Sequence, residues 1–151
     1  MPSGYGIRKG AKGLLPWSRV EERLSSSRNY WVSTTRPDGR PHVMPVWGVW
    51  IERIFYFCTD RRSRKGRNLA QQPAVAVHLE SGDDVVILEG VAGQVRDGPL
   101  LEAFDDAYNS KYGMRIAGIP GDTGIFAVSP RTVFAWREKD FPVSATRWLF
   151  P

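Results

Sequence analysis

Arg53-Ile54-Phe55-Tyr56-Phe57-Cys58-Thr59, Arg61-Arg62-Ser63-Arg64-Lys65-Gly66-Arg67 and Asn68-Leu69-Ala70-Gln71-Gln72-Pro73 follow one another almost without a gap. The first segment is aromatic and apolar, which predicts a strand. The last reads as a short helix closed by proline, with Ser63 placed as its N-cap. Between them stand five cations in seven residues. A helix start already carries about half a positive charge, so cations gathered there repel it unless an anion fills the space. Exposed N–H groups at a helix start, backed by Lys and Arg, form a phosphate site. The plainer reading of such a run is a solvated basic loop.

Outward from this stretch the strand pattern recurs. Tyr30-Trp31-Val32-Ser33-Thr34-Thr35 is β-branched and aromatic, Pro37-Asp38-Gly39 is a turn, and His42 to Ile51 returns as a second strand. Glu52-Arg53 links tightly into the strand ending at Thr59, which predicts a three-stranded meander. Ala74 to Leu79 pairs through Ser81-Gly82-Asp83 with Val85 to Val95. Two last strands are predicted, Gly124 to Val128 and Thr132 to Arg137, divided by Ser129-Pro130-Arg131. Helices are predicted over 16–29, from the spacing of Trp17, Val20 and Leu24, and over 99–112, from Leu100, Leu101, Phe104, Ala107 and Tyr108. Hairpin-joined strands with helices only in connections predict a mainly β, antiparallel barrel. Pro41 and Pro45 remove ladder donors, so their strand must bulge or lie at an edge. Edge or bulged backbone beside an anion loop is where a ligand can approach the main chain.

With 151 residues, 42% of them hydrophobic and 25% charged, the chain has the length and composition of one ordinary globular domain. Residues 1–15 read as a flexible basic arm carrying Arg8, Lys9 and Lys12, and 16–151 as a single domain. A net charge of +5 favours an anionic partner. No apolar run approaches the length needed to span a bilayer, and no apolar secretory segment opens the chain, so a cytoplasmic location is expected. Cys58 is the single cysteine, which leaves no intrachain disulfide and no cysteine-based metal site.

Pro37-Asp38-Gly39-Arg40-Pro41-His42-Val43-Met44-Pro45-Val46-Trp47, then Phe55-Tyr56-Phe57, then Ser63-Arg64-Lys65-Gly66-Arg67-Asn68-Leu69 and Pro73, resemble the split-barrel flavin-binding superfamily. That superfamily contains pyridoxamine 5'-phosphate oxidase and the flavin/deazaflavin oxidoreductases of actinobacteria, and the resemblance runs from about residue 17 to 136. It implies an antiparallel split β-barrel of Greek-key type and a homodimer with a cofactor at each of two subunit interfaces. It further implies that Ser63, Arg64, Lys65, Arg67 and Asn68 hold the cofactor phosphate. The backbone of Met44, Pro45, Val46 and Trp47 would lie along a flavin-like ring, bordered by Cys58 and Thr59. The Arg-rich terminal segment that binds substrate phosphate in pyridoxamine 5'-phosphate oxidase is not found here. The wording of 38–47 and 65–69 is closer to the branch using coenzyme F-420, a deazaflavin with a phosphodiester and a poly-glutamate tail. The implied activity is hydride transfer between the reduced deazaflavin and an unsaturated or electron-poor small molecule. FMN is the alternative cofactor, and a non-catalytic carrier of the deazaflavin or of a tetrapyrrole is a third reading.

In such a reaction the cofactor carries the chemistry, so no nucleophile or acid–base pair is required of the chain. His42 is the candidate proton donor or cofactor contact; a purely structural strand histidine is the competing reading. His78, in an apolar strand, reads as buried or at an interface. Asp83-Asp84 reads as a turn and Asp105-Asp106 as the solvated side of a helix, and neither makes a metal site. Of the six tryptophans, Trp47, Trp136 and Trp148 are candidates to line a substrate pocket, with Tyr112 and Lys111 reaching it from a partner subunit. A nucleic-acid module would use Tyr30-Trp31 and Phe55-Tyr56-Phe57 as stacking surfaces. The cations gather at one loop instead of spreading along a face, which argues against nucleic acid as a partner.

Overall fold

The computed structural model describes residues 5–7, 10 and 12–151. Four helices, α1 (Trp17–Ser26), α2 (Arg64–Gln71), α3 (Gly98–Tyr112) and α4 (Phe141–Ser144), connect eight strands. The strands are β1 (Tyr30–Thr35), β2 (Pro41–Val46), β3 (Gly48–Ile51), β4 (Ile54–Asp60), β5 (Ala74–His78), β6 (Asp84–Gln94), β7 (Thr123–Arg137) and β8 (Thr146–Leu149). They form one antiparallel sheet in the order β2-β1-β5-β6-β7-β4-β3, with β8 added to β7.

That order explains the barrel. β2 and β3 stand at opposite ends of the sheet, yet only Trp47 separates them in the chain. Adjacent Cα atoms are about 3.8 Å apart, so the sheet must curl until its two edges approach. They meet without pairing, and the barrel is split there. The expected single strand from His42 to Ile51 is therefore two strands, and the expected meander is broken. β2 follows β1, whereas β3 forms a hairpin with β4. The Glu52-Arg53 turn holds both residues at positive φ, 48° and 66°. This is the left-handed geometry that suits a two-residue hairpin. Pro41 and Pro45 do lie on an edge strand, since β2 pairs only with β1.

The two expected last strands are one. β7 runs unbroken past Pro130, because the ladder with β6 slips at Glu89/Gly90 and leaves Arg131 as the extra residue of a bulge. Gly90 permits this: a Cβ there would stand 2.2 Å from the Ser129 carbonyl oxygen. The barrel interior is filled by Tyr30, Phe55, Phe57, Leu88, Val128 and Val133, each 0% exposed, with Val20 and Leu24 of α1 closing one end. A second cluster lies under α3, where Phe104 and Tyr108 cover Val49, Tyr56 and Ile125. α3 is bounded by Asp97, whose side chain accepts from the Leu100 N–H at 3.0 Å, and by Gly113 at φ 72°.

Within the segment read as an arm, Arg8 and Lys9 lie outside the described residues and Lys12 is exposed. Leu15 is buried, and its N–H donates to Thr146 Oγ1 at 2.9 Å. His78 is half-buried, its ring stacked on Trp31 at 6.4 Å and its Nδ1 2.7 Å from the Leu79 carbonyl. Among the described residues, no helix is long and apolar enough to cross a membrane.

Candidate functional site

β4 ends at Asp60, and four residues later α2 begins. The turn between them is held by backbone and side chain together. The Ser63 N–H donates to the Asp60 carbonyl at 3.0 Å, and the Arg62 N–H donates to Asp60 Oδ1 at 2.7 Å. Ser63 caps α2 as expected, its Oγ accepting from the Gly66 N–H at 3.0 Å while lying 3.2 Å from Thr59 Oγ1. Gly66 is required by this tightness, because a Cβ there would stand 2.6 Å from the carbonyl oxygens of both Asp60 and Arg61.

The five cations are not equivalent. Arg61 is committed to Asp122, with its Nε 3.1 Å from Oδ1 and a second, shorter contact from Nη2. Arg62, Arg64, Lys65 and Arg67 make no ion pair among the described residues. No acidic residue occupies the first turn of α2. Lys65 is only 8% exposed, and its burial pushes the ammonium pKa below the ordinary lysine range. Asn68, 0% exposed, donates from Nδ2 to Thr34 Oγ1 at 3.0 Å, and its buried Oδ1 has no partner among the described residues. A buried amine at the positive end of a helix, with an unmatched amide beside it, is costly unless an anion is bound there. The donor set of hydroxyl, ammonium and helix N–H groups fits a phosphate.

β2 leads away from this corner along the open edge of the sheet. His42 stands across from Thr34, Met44 from Val32 and Val46 from Tyr30. Val43 and Met44 are 48% and 45% exposed although apolar. At the crossing, Trp47 stacks on Tyr112 with ring centroids 4.6 Å apart and planes 1° from parallel, and the Arg28 guanidinium lies 5.0 Å from the indole. Gly48 is pinned from α3: its N–H donates to Tyr112 Oη at 3.0 Å and its carbonyl accepts from Lys111 Nζ at 2.9 Å. Tyr112 and Lys111 thus act on the crossing of their own chain. Burial lowers the pKa of Lys111 to about 8.

Cys58 faces the α3 cluster beside Tyr108, and burial there pushes its thiol pKa up, which keeps it from acting as a thiolate. Trp136 and Trp148 are not brought to this corner within one chain. β7 begins at Thr123, opposite Asp60, but Trp136 lies toward its other end opposite Val85 and packs edge-on to Phe141 at 5.6 Å. Trp148 packs edge-on to Trp17 at 5.4 Å, at the α1 end of the core. Thr34, Asp122 and Arg28 escaped the sequence reading. For Thr34 a signal existed, since alternation in β1 places it on the inward face with Val32 and Tyr30; for Asp122 and Arg28 there was none.

Residues 17–137 match the family model described as pyridoxamine 5'-phosphate oxidase. The pyridoxine/pyridoxamine 5'-phosphate oxidase of Alkalilimnicola ehrlichii is 39% identical over 80 residues, 51% of this chain. The match spans only 38% of that relative's length. Among solved structures, an F420 reductase is 26% identical with a TM-score of 0.62, covering 75% of this chain and 94% of its own. HutZ, the heme storage protein from Vibrio cholerae, shares the fold at 21% identity with a TM-score of 0.69, covering 78% of this chain and 92% of its own.

Proposed function

We propose that this chain, which belongs to the pyridoxamine 5'-phosphate oxidase family, is an oxidoreductase that binds coenzyme F-420 and serves hydride transfer to an unsaturated or electron-poor small organic substrate. The observation that carries the reading is Lys65: buried at the start of α2, lowered in pKa and without an ion pair among the described residues. Lys65, Ser63 and the first N–H groups of α2 would hold a phosphate, and Asn68 is placed beside them. Arg62, Arg64 and Arg67, without an ion pair among the described residues, would receive a longer anionic tail, and similarity to an F420 reductase supports the same choice. When bound, the deazaflavin ring supplies the hydride. The chain's part is to place that ring, to wall it with the 44–47 backbone and to exclude water. Tyr112 and Lys111 contribute by fixing Gly48, so that the wall does not move when a ligand arrives. We further propose a homodimer, in which the open edge of β2 with its exposed Val43 and Met44 is completed by a second copy.

FMN is the second reading. It is favoured by the buried part of the site, where one lysine and one asparagine suffice for a single phosphate. Parallel titrations of the purified protein with coenzyme F-420 and with FMN separate the two. Tighter binding of the deazaflavin is the expected outcome; preference for FMN overturns the choice of cofactor but not of site. Lys65→Ala should weaken whichever cofactor binds by about 1–3 kcal/mol, the cost of a lost charge-assisted hydrogen bond. Unchanged affinity in that variant overturns the phosphate site.

A further inference from the structure

We propose that His42 couples anion binding at the start of α2 to the uptake of one proton, so that the site grips an anion more tightly as pH falls. This rests on the phosphate-site reading above and adds to it a residue that responds to the ligand's charge.

The geometry brings the imidazole to the site from the opposite side. His42 pairs across the β1–β2 ladder with Thr34, on the same face of the sheet. Thr34 Oγ1 is the atom that accepts the Asn68 amide of α2. Thr34 thus joins the strand pair that carries His42 to α2, and the charges of Arg64 and Lys65 in the first turn of that helix act on the ring. Its Nδ1 is buried and has no hydrogen-bond partner among the described residues. Buried polar atoms in folded proteins are nearly always matched, so an unmatched one beside a ligand site is an atom the ligand or its solvent shell is placed to satisfy.

The charges around it all have one sign. Arg36, from the turn after β1, and Arg64 and Lys65, from α2, bear on the ring. Asp38, the acid on that turn, is committed to Arg40, which donates to it from its backbone N–H at 3.1 Å and from Nε at 2.9 Å. Desolvation first, and then the three cations, hold the imidazole pKa below its ordinary value. Near neutral pH the ring is neutral. An anion seated on Ser63, Lys65 and the helix N–H groups offsets the field of those cations and raises the imidazole pKa back toward its ordinary value. As pH falls through the interval so opened, one proton passes from solvent to the ring, and no covalent bond other than that N–H is made or broken. Linkage makes the effect reciprocal: the factor by which the anion raises the proton affinity of His42 is the factor by which the proton raises anion affinity.

Sulfate is a suitable probe because it does not titrate in this range. The chain has two histidines, so the ring Cε1–Hε1 resonances can be followed by NMR against pH, in sulfate and in chloride at matched ionic strength. His78, held by Trp31 and its own backbone, is the internal reference. The expected result is a His42 pKa that rises in sulfate while that of His78 stays put. Sulfate affinity should then tighten on going from pH 8 to pH 5.5, by at most about tenfold for each unit of that rise. His42→Gln and His42→Asn should bind sulfate with no such pH dependence. Sulfate that binds while the His42 pKa stays fixed overturns the coupling and leaves the phosphate site standing. Failure of sulfate to bind at any pH overturns both.

Discussion

Lys65 and Lys111 both leave bulk water at the end of a helix, and the chain treats them in opposite ways. Lys111 lies in the last turn of α3, where the helix dipole favours a cation. Its ammonium donates to Tyr30 Oη at 2.8 Å and to the Gly48 carbonyl at 2.9 Å, and lies 4.8 Å from the centre of the Tyr30 ring and 5.2 Å from that of Tyr112. Every contact serves the fold: it ties α3 to the β2–β3 crossing. Lys65 lies in the first turn of α2, where the dipole opposes it, with no acid in that turn and no ion pair among the described residues. Among the described residues, no ion pair or acidic neighbour in the helix compensates the cost of burying it. The hydrogen-bonded lysine is architecture, although burial disfavours its charge as well. The one without an ion pair among the described residues breaks the local rules of charge placement, and such breaks concentrate at functional sites.

Replacing each lysine's anchor tests that division. Lys65→Met keeps the apolar stem and deletes the charge, so it should reduce cofactor affinity by about 1–3 kcal/mol while the melting temperature holds or rises. A protein destabilised by that change would make Lys65 a structural residue and dissolve the contrast. On the other side, Tyr112→Phe keeps the stack on Trp47 but leaves the Gly48 N–H without its acceptor. It should cost about 1–2 kcal/mol of stability in denaturant unfolding. Its effect on binding should be smaller than that of Lys65→Met, since the hydroxyl touches the crossing and not the anion corner. Ser63→Ala removes the N-cap of α2, whose hydroxyl is also one of the proposed phosphate contacts. About 1 kcal/mol of stability should be lost without cofactor; with cofactor bound, a larger loss would show that the hydroxyl also serves the phosphate.

The geometry of the turn into α2 was legible in the sequence because it is local. Ser63 reaches Gly66 three residues on, the glycine is where the turn is tightest, and the charge run is contiguous. The split in the barrel was not. The 42–51 stretch has uniform strand character, and nothing within it says that Val46 will pair with Tyr30 while Gly48 pairs with Phe57. That choice is made by burial of Tyr30, Phe55 and Phe57 in one interior, which is decided far along the chain. Ser129-Pro130-Arg131 reads as the break between two strands, which is what a proline locally favours; Gly90 on the neighbouring strand lets the ladder pass it. The neutralisation of Arg61 by Asp122 spans 61 residues. A run of cations read from sequence alone therefore overstates how many are free.

The smallest effect expected is a slope in pH, and it sharpens the contrast most directly. Lys111 titrates at about 8 in the folded chain, against about 10.4 when unfolded. Between those values the unfolded chain still binds a proton that the folded chain has released, so stability rises with pH through that window. Lys65 is shifted in the same direction. Cys58, Tyr30 and Tyr108 are shifted upward by burial and oppose the rise from about pH 9 onward. The informative quantity is therefore a difference between variants under identical conditions. Lys111→Met should flatten the rise between pH 8 and 10 relative to the parent, in sulfate and in chloride alike. The share belonging to Lys65 should behave otherwise: sulfate gives that ammonium a counter-charge, raises its pKa and reduces its part of the slope. Equal slopes for the parent in the two salts would mean that Lys65, like Lys111, is already satisfied by the fold.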